Sequence, residues 1–251
     1  MASTLLLVPF ALLMMWWGGL AWQITAALLG AGLALEWLNL SGQPARCWRG
    51  ALLLAAFALA WSAMMFGPAL VPVELAVYVA MVVLILVDPW LGLGLLYIGL
   101  ATWAMLWLRQ GPDGFANLFF LLPVVWASDI GAYATGRVLR GPKLAPTISP
   151  GKTWSGAAGG VLASALVGAA IAGGLAGDPA RAAAIAAVLA VVSQIGDLGE
   201  SWAKRHFGVK DSGNLIPGHG GLFDRLDGLM AASFVAVGLS ALAGPGQYLW
   251  R

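Results

Sequence analysis

The chain has 251 residues, of which 61% are hydrophobic and 10% charged, with a mean hydropathy of +0.87 and a formal net charge of +2. A soluble domain carries roughly 25% charged residues, so this composition excludes an ordinary soluble protein. Apolar runs without polar alternation also exclude a transmembrane β-barrel, which leaves helices that satisfy their own backbone within lipid.

Apolar runs fall at about 4–17, 19–40, 50–66, 71–87, 90–108, 116–136, 154–177, 181–200 and 226–243. They predict an all-α, multi-pass bundle of about nine transmembrane helices, in which the first two runs also read as one helix broken at Gly18-Gly19. Turn and cap residues separate them: Gly42 and Pro44, Gly67 and Pro68, Asp88 and Pro89, Gly111 and Pro112, Asp178 and Pro179, Gly244 and Pro245. No Lys or Arg precedes Arg46, so the first run reads as a retained anchor without the basic region of a cleaved signal. The lone Cys47 is expected to be inert, and two His without a ligand cluster give no sign of zinc. The Trp residues read as interfacial anchors and packing.

A cytoplasmic N-terminus places Arg46, Arg49, Arg137, Arg140, Lys143, Lys152, Lys204, Arg205, Lys210 and Arg225 on the cytoplasmic side, and Arg109, Arg181 and Arg251 outside. That asymmetry follows the positive-inside rule. It also brings the two polar segments, 137–153 and 201–225, to one face. The acids are skewed along the chain: only Glu36, Glu74 and Asp88 precede residue 109. Residues 1–110 therefore read as N-terminal scaffold helices, and 111–251 as a catalytic transmembrane region with its site on the cytoplasmic face.

Asp129 lies in the run FFLLPVVWASDIGAYATGR, where a carboxylate at mid-membrane costs about 2.5–3.5 kcal/mol. Either the span ends early and Asp129 caps a cytosolic extension, or it faces a polar cavity as a metal ligand or as partner to a basic residue. Asp197, Glu200, Ser201 and Lys204 stand at i, i+3, i+4 and i+7, one stripe of a helix, and Asp224 and Asp227 form an i, i+3 pair at the start of the last span. Surface salt bridges such as Asp197 or Glu200 with Lys204 are one reading. A site for Mg²⁺, which takes carboxylate oxygens, waters and phosphate, is the other. Emergence of these acids at a membrane boundary beside four basic residues favours the site.

Between the two acid groups, Lys204, Arg205 and Lys210 suit phosphate oxygens, and the turn Pro217-Gly218-His219-Gly220-Gly221 lets backbone amides approach a ligand. The loop GPKLAPTISPGKTWSG contains Gly151-Lys152-Thr153 but is no P-loop, because Pro146 stands where that motif needs Gly. Lys152 remains a candidate phosphate contact.

The chain resembles the phosphatidate cytidylyltransferases, the membrane CDP-diacylglycerol synthases. Their signature S-x-x-K-R-x4-K-D-x-G-x3-P-x-H-G-G-x-x-D-R-x-D is met by Ser201, Lys204, Arg205, Lys210, Asp211, Gly213, Pro217, His219, Gly220, Gly221, Asp224, Arg225 and Asp227. Gln194, Gly196, Asp197 and Glu200, the S-D-x-x-A-Y-x-x-G pattern at Ser128, Asp129, Ala132, Tyr133 and Gly136, and Ser149-Pro150 with Lys152-Thr153 extend it over about residues 115–230. Ser155 departs from the Glu more common in the family.

The resemblance implies transfer of the cytidylyl group of CTP to phosphatidate, giving CDP-diacylglycerol and pyrophosphate, with Mg²⁺ as cofactor and room for a second cation. Asp197 and Asp224 are the principal expected metal ligands, with Asp129 and Asp227 as second choices. Lys204, Arg205, Lys210, Asp211, His219 and Arg225 form the expected catalytic set, in which Asp211 organises the basic loop and His219 donates a hydrogen bond. Lys152, Thr153, Ser201, Gly220 and Gly221 are the expected substrate contacts. The partners expected are the two substrates and membrane lipid, with no nucleic acid and a homodimer as candidate assembly, in a bacterial inner membrane. The competing readings are a CTP-dependent polyprenol or phytol kinase, which would release CDP, and a transporter, against which the confinement of polar residues to one half of the chain counts.

Overall fold

The computed structural model describes residues 2–42, 85–86, 88–111, 114–213, 215 and 220–243. They form α1 (Ala2–Trp17), α2 (Gly19–Leu40), α3 (Pro89–Gln110), α4 (Gly114–Leu139), β1 (Lys143–Ala145), β2 (Ser149–Thr153), α5 (Trp154–Gly174), α6 (Pro179–His206) and α7 (Phe223–Ala243). Seven of the predicted runs coincide with these helices. The runs at 50–66 and 71–87, apart from residues 85–86, lie outside the described residues.

Six of the described helices, α2 to α7, are long and apolar enough to cross a membrane. A 22-residue helix such as α2 or α3 is about 33 Å long, which matches a hydrocarbon core of about 30 Å. The chain is an integral membrane protein. α1, with 16 residues, is shorter.

The first two runs are separate helices. Gly18 and Gly19 take positive φ values of 67° and 51°, a region open to glycine at little cost. Arg109, at the end of α3, secures the break: its Nε donates to the Met15 carbonyl at 2.8 Å and its Nη2 to that of Trp16 at 3.3 Å. These are last-turn carbonyls of α1 that have no partner within the helix, and a Cβ on Gly18 would collide with the guanidinium.

Helix starts follow the predicted punctuation. Asp88 caps α3 through the Leu91 amide, and Asp178 caps α6 through those of Ala180 and Arg181, each with Pro in the first turn.

Packing is carried by small residues. α5 buries Gly156, Gly160, Ser164, Gly168 and Ala172, one every fourth position, while Leu162 and Leu166 on its other side are 62% and 63% exposed. Small residues let backbones approach closely where lipid offers no hydrophobic drive for helix association. The Ser164 hydroxyl accordingly reaches the Val124 carbonyl of α4 at 2.7 Å, and Gln194 of α6 donates to Ser128 of α4 at 3.1 Å and to the Ala157 carbonyl of α5 at 3.2 Å. A Cβ at Gly160 would meet both Gln194 and the Ser128 carbonyl at 2.7 Å.

The polar segment between α4 and α5 contains an antiparallel hairpin, absent from the all-α expectation. β1 pairs with β2 through Lys143 opposite Thr153 and Ala145 opposite Ser149, with an irregularity between. Hydropathy does not signal it, because its strands have only three and five residues and Pro, Gly and polar residues interrupt the few apolar ones. A core cluster that includes Leu33, Trp37, Leu38, Leu95, Ile98, Ala203, Phe223 and Met230 ties α2 and α3 to the end of α6 and the start of α7.

Candidate active site

The end of α6 carries the stripe foreseen from spacing. The Lys204 ammonium lies 2.9 Å from Glu200 Oε2 within its own helix and 2.6 Å from Asp224 Oδ1 at the start of α7. All three are largely withdrawn from solvent, with side chains 12%, 4% and 13% exposed for Lys204, Glu200 and Asp224. One turn earlier, Lys152 at the end of the hairpin pairs with Asp197 Oδ2 at 2.5 Å, and the Ser201 hydroxyl faces Asp197 Oδ1 at 3.5 Å. Charges at such depth hold only when paired, since each would otherwise lose its hydration uncompensated.

Asp224 is held from three sides. Besides Lys204, it accepts from the Gly221 amide at 2.9 Å and the Ser212 amide at 3.1 Å, both on Oδ2. Gly220 turns the chain into this position with φ 83°. Asp227, one turn on, accepts from the Gly228 amide at 2.8 Å.

Carboxylate oxygens of Asp197, Glu200 and Asp227 lie within 4.8 Å of one another, and Asp129 lies in electrostatic range of Asp197, Asp227 and Lys152. Among the described residues, Glu200 Oε1 is buried and receives no donor. An acid oxygen so placed, among other acids that outnumber the two paired lysines, is available to a cation. The donor set is all oxygen, as a hard divalent ion requires, so these residues fit a bound metal.

The remaining predicted residues fall as follows. Thr153 is buried and caps α5, its hydroxyl accepting from the Gly156 amide at 3.0 Å and lying 3.1 Å from Ser155 Oγ. Arg205 is exposed; its Nε donates to the Ile148 carbonyl in the hairpin turn at 3.3 Å and its Nη1 to that of Val209 at 3.2 Å. The two polar segments thus meet through Arg205, while Lys152 ties the hairpin to α6 at Asp197. Lys210 and Asp211 are exposed in the turn after α6, and Arg225 is exposed on the first turn of α7. Pro217, Gly218 and His219 lie outside the described residues.

One residue that sequence reasoning left in the scaffold belongs here. Glu36 of α2 is 2% exposed and accepts from the Leu222 and Phe223 amides, each at 2.8 Å, and from the Ser212 hydroxyl at 3.2 Å. The adjacent Trp37 stacks on Phe223 at 5.7 Å and donates its indole N–H to the Trp90 carbonyl at 3.2 Å. The available signal was an acid inside an apolar run, the same signal that singled out Asp129.

Six apolar helices, with lysines and carboxylates gathered at one end, define a multi-pass membrane protein. The sequence profile of the Cytidylyltransferase family matches residues 1–242, and the chain belongs to that family. It is similar to the phosphatidate cytidylyltransferase of Brucella suis biovar 1 (strain 1330), 39% identical over 92% of this chain and 88% of that protein. The phosphatidate cytidylyltransferases of Pseudomonas aeruginosa PAO1 and Staphylococcus epidermidis ATCC 12228 are 44% and 40% identical, over 62% and 53% of this chain and 59% and 52% of theirs. The chain is therefore a membrane nucleotidyltransferase.

Proposed function

We propose that this protein transfers the cytidylyl group of CTP to phosphatidate, releasing pyrophosphate and leaving CDP-diacylglycerol in the membrane. The observation that carries the reading is the convergence of Lys152, Lys204 and the acids Asp197, Glu200, Asp224 and Asp227 at one end of the bundle, within a member of this family.

The phosphate monoester of phosphatidate has a second pKa near 6, so it attacks the α-phosphorus of CTP already ionised and needs no general base. The bond from the α-phosphorus to the bridging oxygen breaks, and the pyrophosphate takes the electron pair. The task left to the protein is to bring two polyanions together and to stabilise charge on the leaving group. Lys204, Lys152, Arg205 and Lys210 serve the phosphates, with Arg225, Ser201 and the Gly220-Gly221 turn beside them. Asp211 orders the basic loop and His219 donates a hydrogen bond. Thr153 acts through the start of α5, where its hydroxyl is engaged.

Mg²⁺, when bound, supplies charge neutralisation of the triphosphate. Asp197, Asp227 and Glu200 are the residues to hold it. Asp224 completes the candidate set together with Asp129, and its Oδ1 is the atom now engaged by Lys204. A second cation belongs to the same proposal.

The same reading comprises about nine spans with the N-terminus in the cytoplasm, residues 1–110 as scaffold and 111–251 as the catalytic region. It also places the site at the cytoplasmic face of a bacterial inner membrane, in a homodimer. The asymmetry of Lys and Arg supports the orientation.

The test is purified protein with α-phosphate-labelled CTP and phosphatidate, with and without Mg²⁺. CDP-diacylglycerol and pyrophosphate are expected only with the metal. Absence of both under every divalent ion would overturn the proposal, and labelled CDP released in a parallel reaction supplied with a polyprenol in place of phosphatidate would identify a kinase.

A further inference from the structure

We propose that Glu36, on a helix remote in sequence from the site, is a positioning residue that sets Asp224, and through it Lys204, in register for the reaction. The inference rests on the functional reading above.

The geometry runs in two steps. Glu36 gathers both ends of the polar turn on one carboxylate: Ser212 through its hydroxyl, and Leu222 and Phe223 through their amides. The same two stretches hold Asp224, through the Ser212 and Gly221 amides. Asp224 in turn holds the Lys204 ammonium. Moving the turn off Glu36 therefore moves both donors to Asp224 together.

Three further features tie the carboxylate to this task. Among the described residues Glu36 has no ion-pair partner within salt-bridge distance, so its compensation comes from the turn and from the positive end of α7. The turn is closed tightly upon it: a Cβ at Gly213 would lie 2.8 Å from Glu36 Oε1, and one at Gly221 would lie 2.8 Å from Oε2 and overlap Ser212 Oγ. Finally, Trp37 packs on the Phe223 ring, so the start of α7 has an apolar hold on α2 beside the one the carboxylate supplies.

The experiment uses the full chain carrying Glu36→Gln. Gln keeps the shape, halves the acceptors and turns an amide N–H₂ against a backbone donor. Hydrogen exchange should show lost protection at Ser212, Gly221, Leu222 and Phe223. Turnover per folded molecule should fall about ten- to a hundredfold, as for a displaced catalytic group, with the KM for phosphatidate little changed. Glu36→Asp, which keeps the charge, should recover part of kcat. Wild-type kcat in folded Glu36→Gln, or unchanged exchange in the turn, would overturn the inference.

Should Glu36→Gln fail to fold, Ser212→Ala carries the test, since it deletes one bond to Glu36 and spares the Ser212 amide. A kcat lower by about three- to tenfold is expected from one lost hydrogen bond, and an unchanged kcat would overturn it. A wild-type protein that makes no CDP-diacylglycerol would defeat the functional reading, while the exchange measurement would still report whether Glu36 holds the turn.

Discussion

Glu36 and Phe223 stand 187 positions apart, yet the carboxylate of the first accepts the amide of the second at 2.8 Å. That bond anchors the start of α7, and with it Asp224 and Asp227, to the N-terminal part of the bundle. The polar turn between α6 and α7 is thus supported from a helix that hydropathy alone assigns to scaffold.

Lys204 sits between Glu200 and Asp224, and its removal strands two withdrawn carboxylates. Lys204→Met should cost about 3 kcal/mol, the lower end for breaking a buried pair, and abolish turnover. Thermal unfolding in detergent reads the first and CDP-diacylglycerol formation the second. Lys204→Arg should keep most of the stability and lose at least about tenfold in kcat, since a planar fork does not reproduce a point charge between two acids.

The Lys152–Asp197 pair is more open, with side chains 26% and 35% exposed. Partly exposed pairs contribute at most about 1 kcal/mol to stability, so Asp197→Asn should unfold at nearly the wild-type temperature. Its turnover should nevertheless fall by about a hundredfold, with a higher half-saturating Mg²⁺ concentration. Normal metal-dependent turnover in Asp197→Asn would remove Asp197 from the ligand set, and the same result in Asp224→Asn would remove Asp224.

Thr153 separates a capping role from a direct substrate contact. Thr153→Ala should lose about 1 kcal/mol, as for other N-caps, with the KM for CTP within about twofold of wild type and stability restored in Thr153→Ser. A KM for CTP raised tenfold at unchanged stability would assign the hydroxyl to the substrate.

The small-residue face of α5 makes a steric prediction. Gly160→Leu drives a side chain into Gln194 and the Ser128 carbonyl and should prevent folding, at a cost of about 3 kcal/mol or more for overpacking. Leu162→Ala, on the exposed face of the same helix, should leave the elution profile of the purified protein unchanged. A well-folded Gly160→Leu would show that α5 does not pack as described.

Much of the fold was legible because its signals are local. Apolar length marks a span whatever it packs against, and Asp-Pro at 88–89 and 178–179 marks a helix start because the cap and the missing amide act within one turn. The stripe of Asp197, Glu200, Ser201 and Lys204 was legible for the same reason, since 3.6 residues per turn put them on one side. The small-residue repeat of α5 was equally present in the sequence at 156, 160, 164, 168 and 172. It was passed over because hydropathy scores Gly and Ala weakly. The hairpin left no such trace, being too short and too rich in Pro and Gly for a period of two to show.

By itself, then, the sequence determined a helical membrane protein, the places where most of its described helices begin and end, and the segments that carry its polar chemistry. Periodicity, capping and the insolubility of an unpaired amide in lipid all act within a few residues. Which charge answers which was decided only by the tertiary structure: Lys152 by Asp197, Lys204 by Glu200 and Asp224 together, and the amides of Leu222 and Phe223 by Glu36. A buried charge takes whatever partner packing brings within about 3 Å of it, and that neighbour is chosen by helices meeting in space, across distances along the chain that no local pattern records.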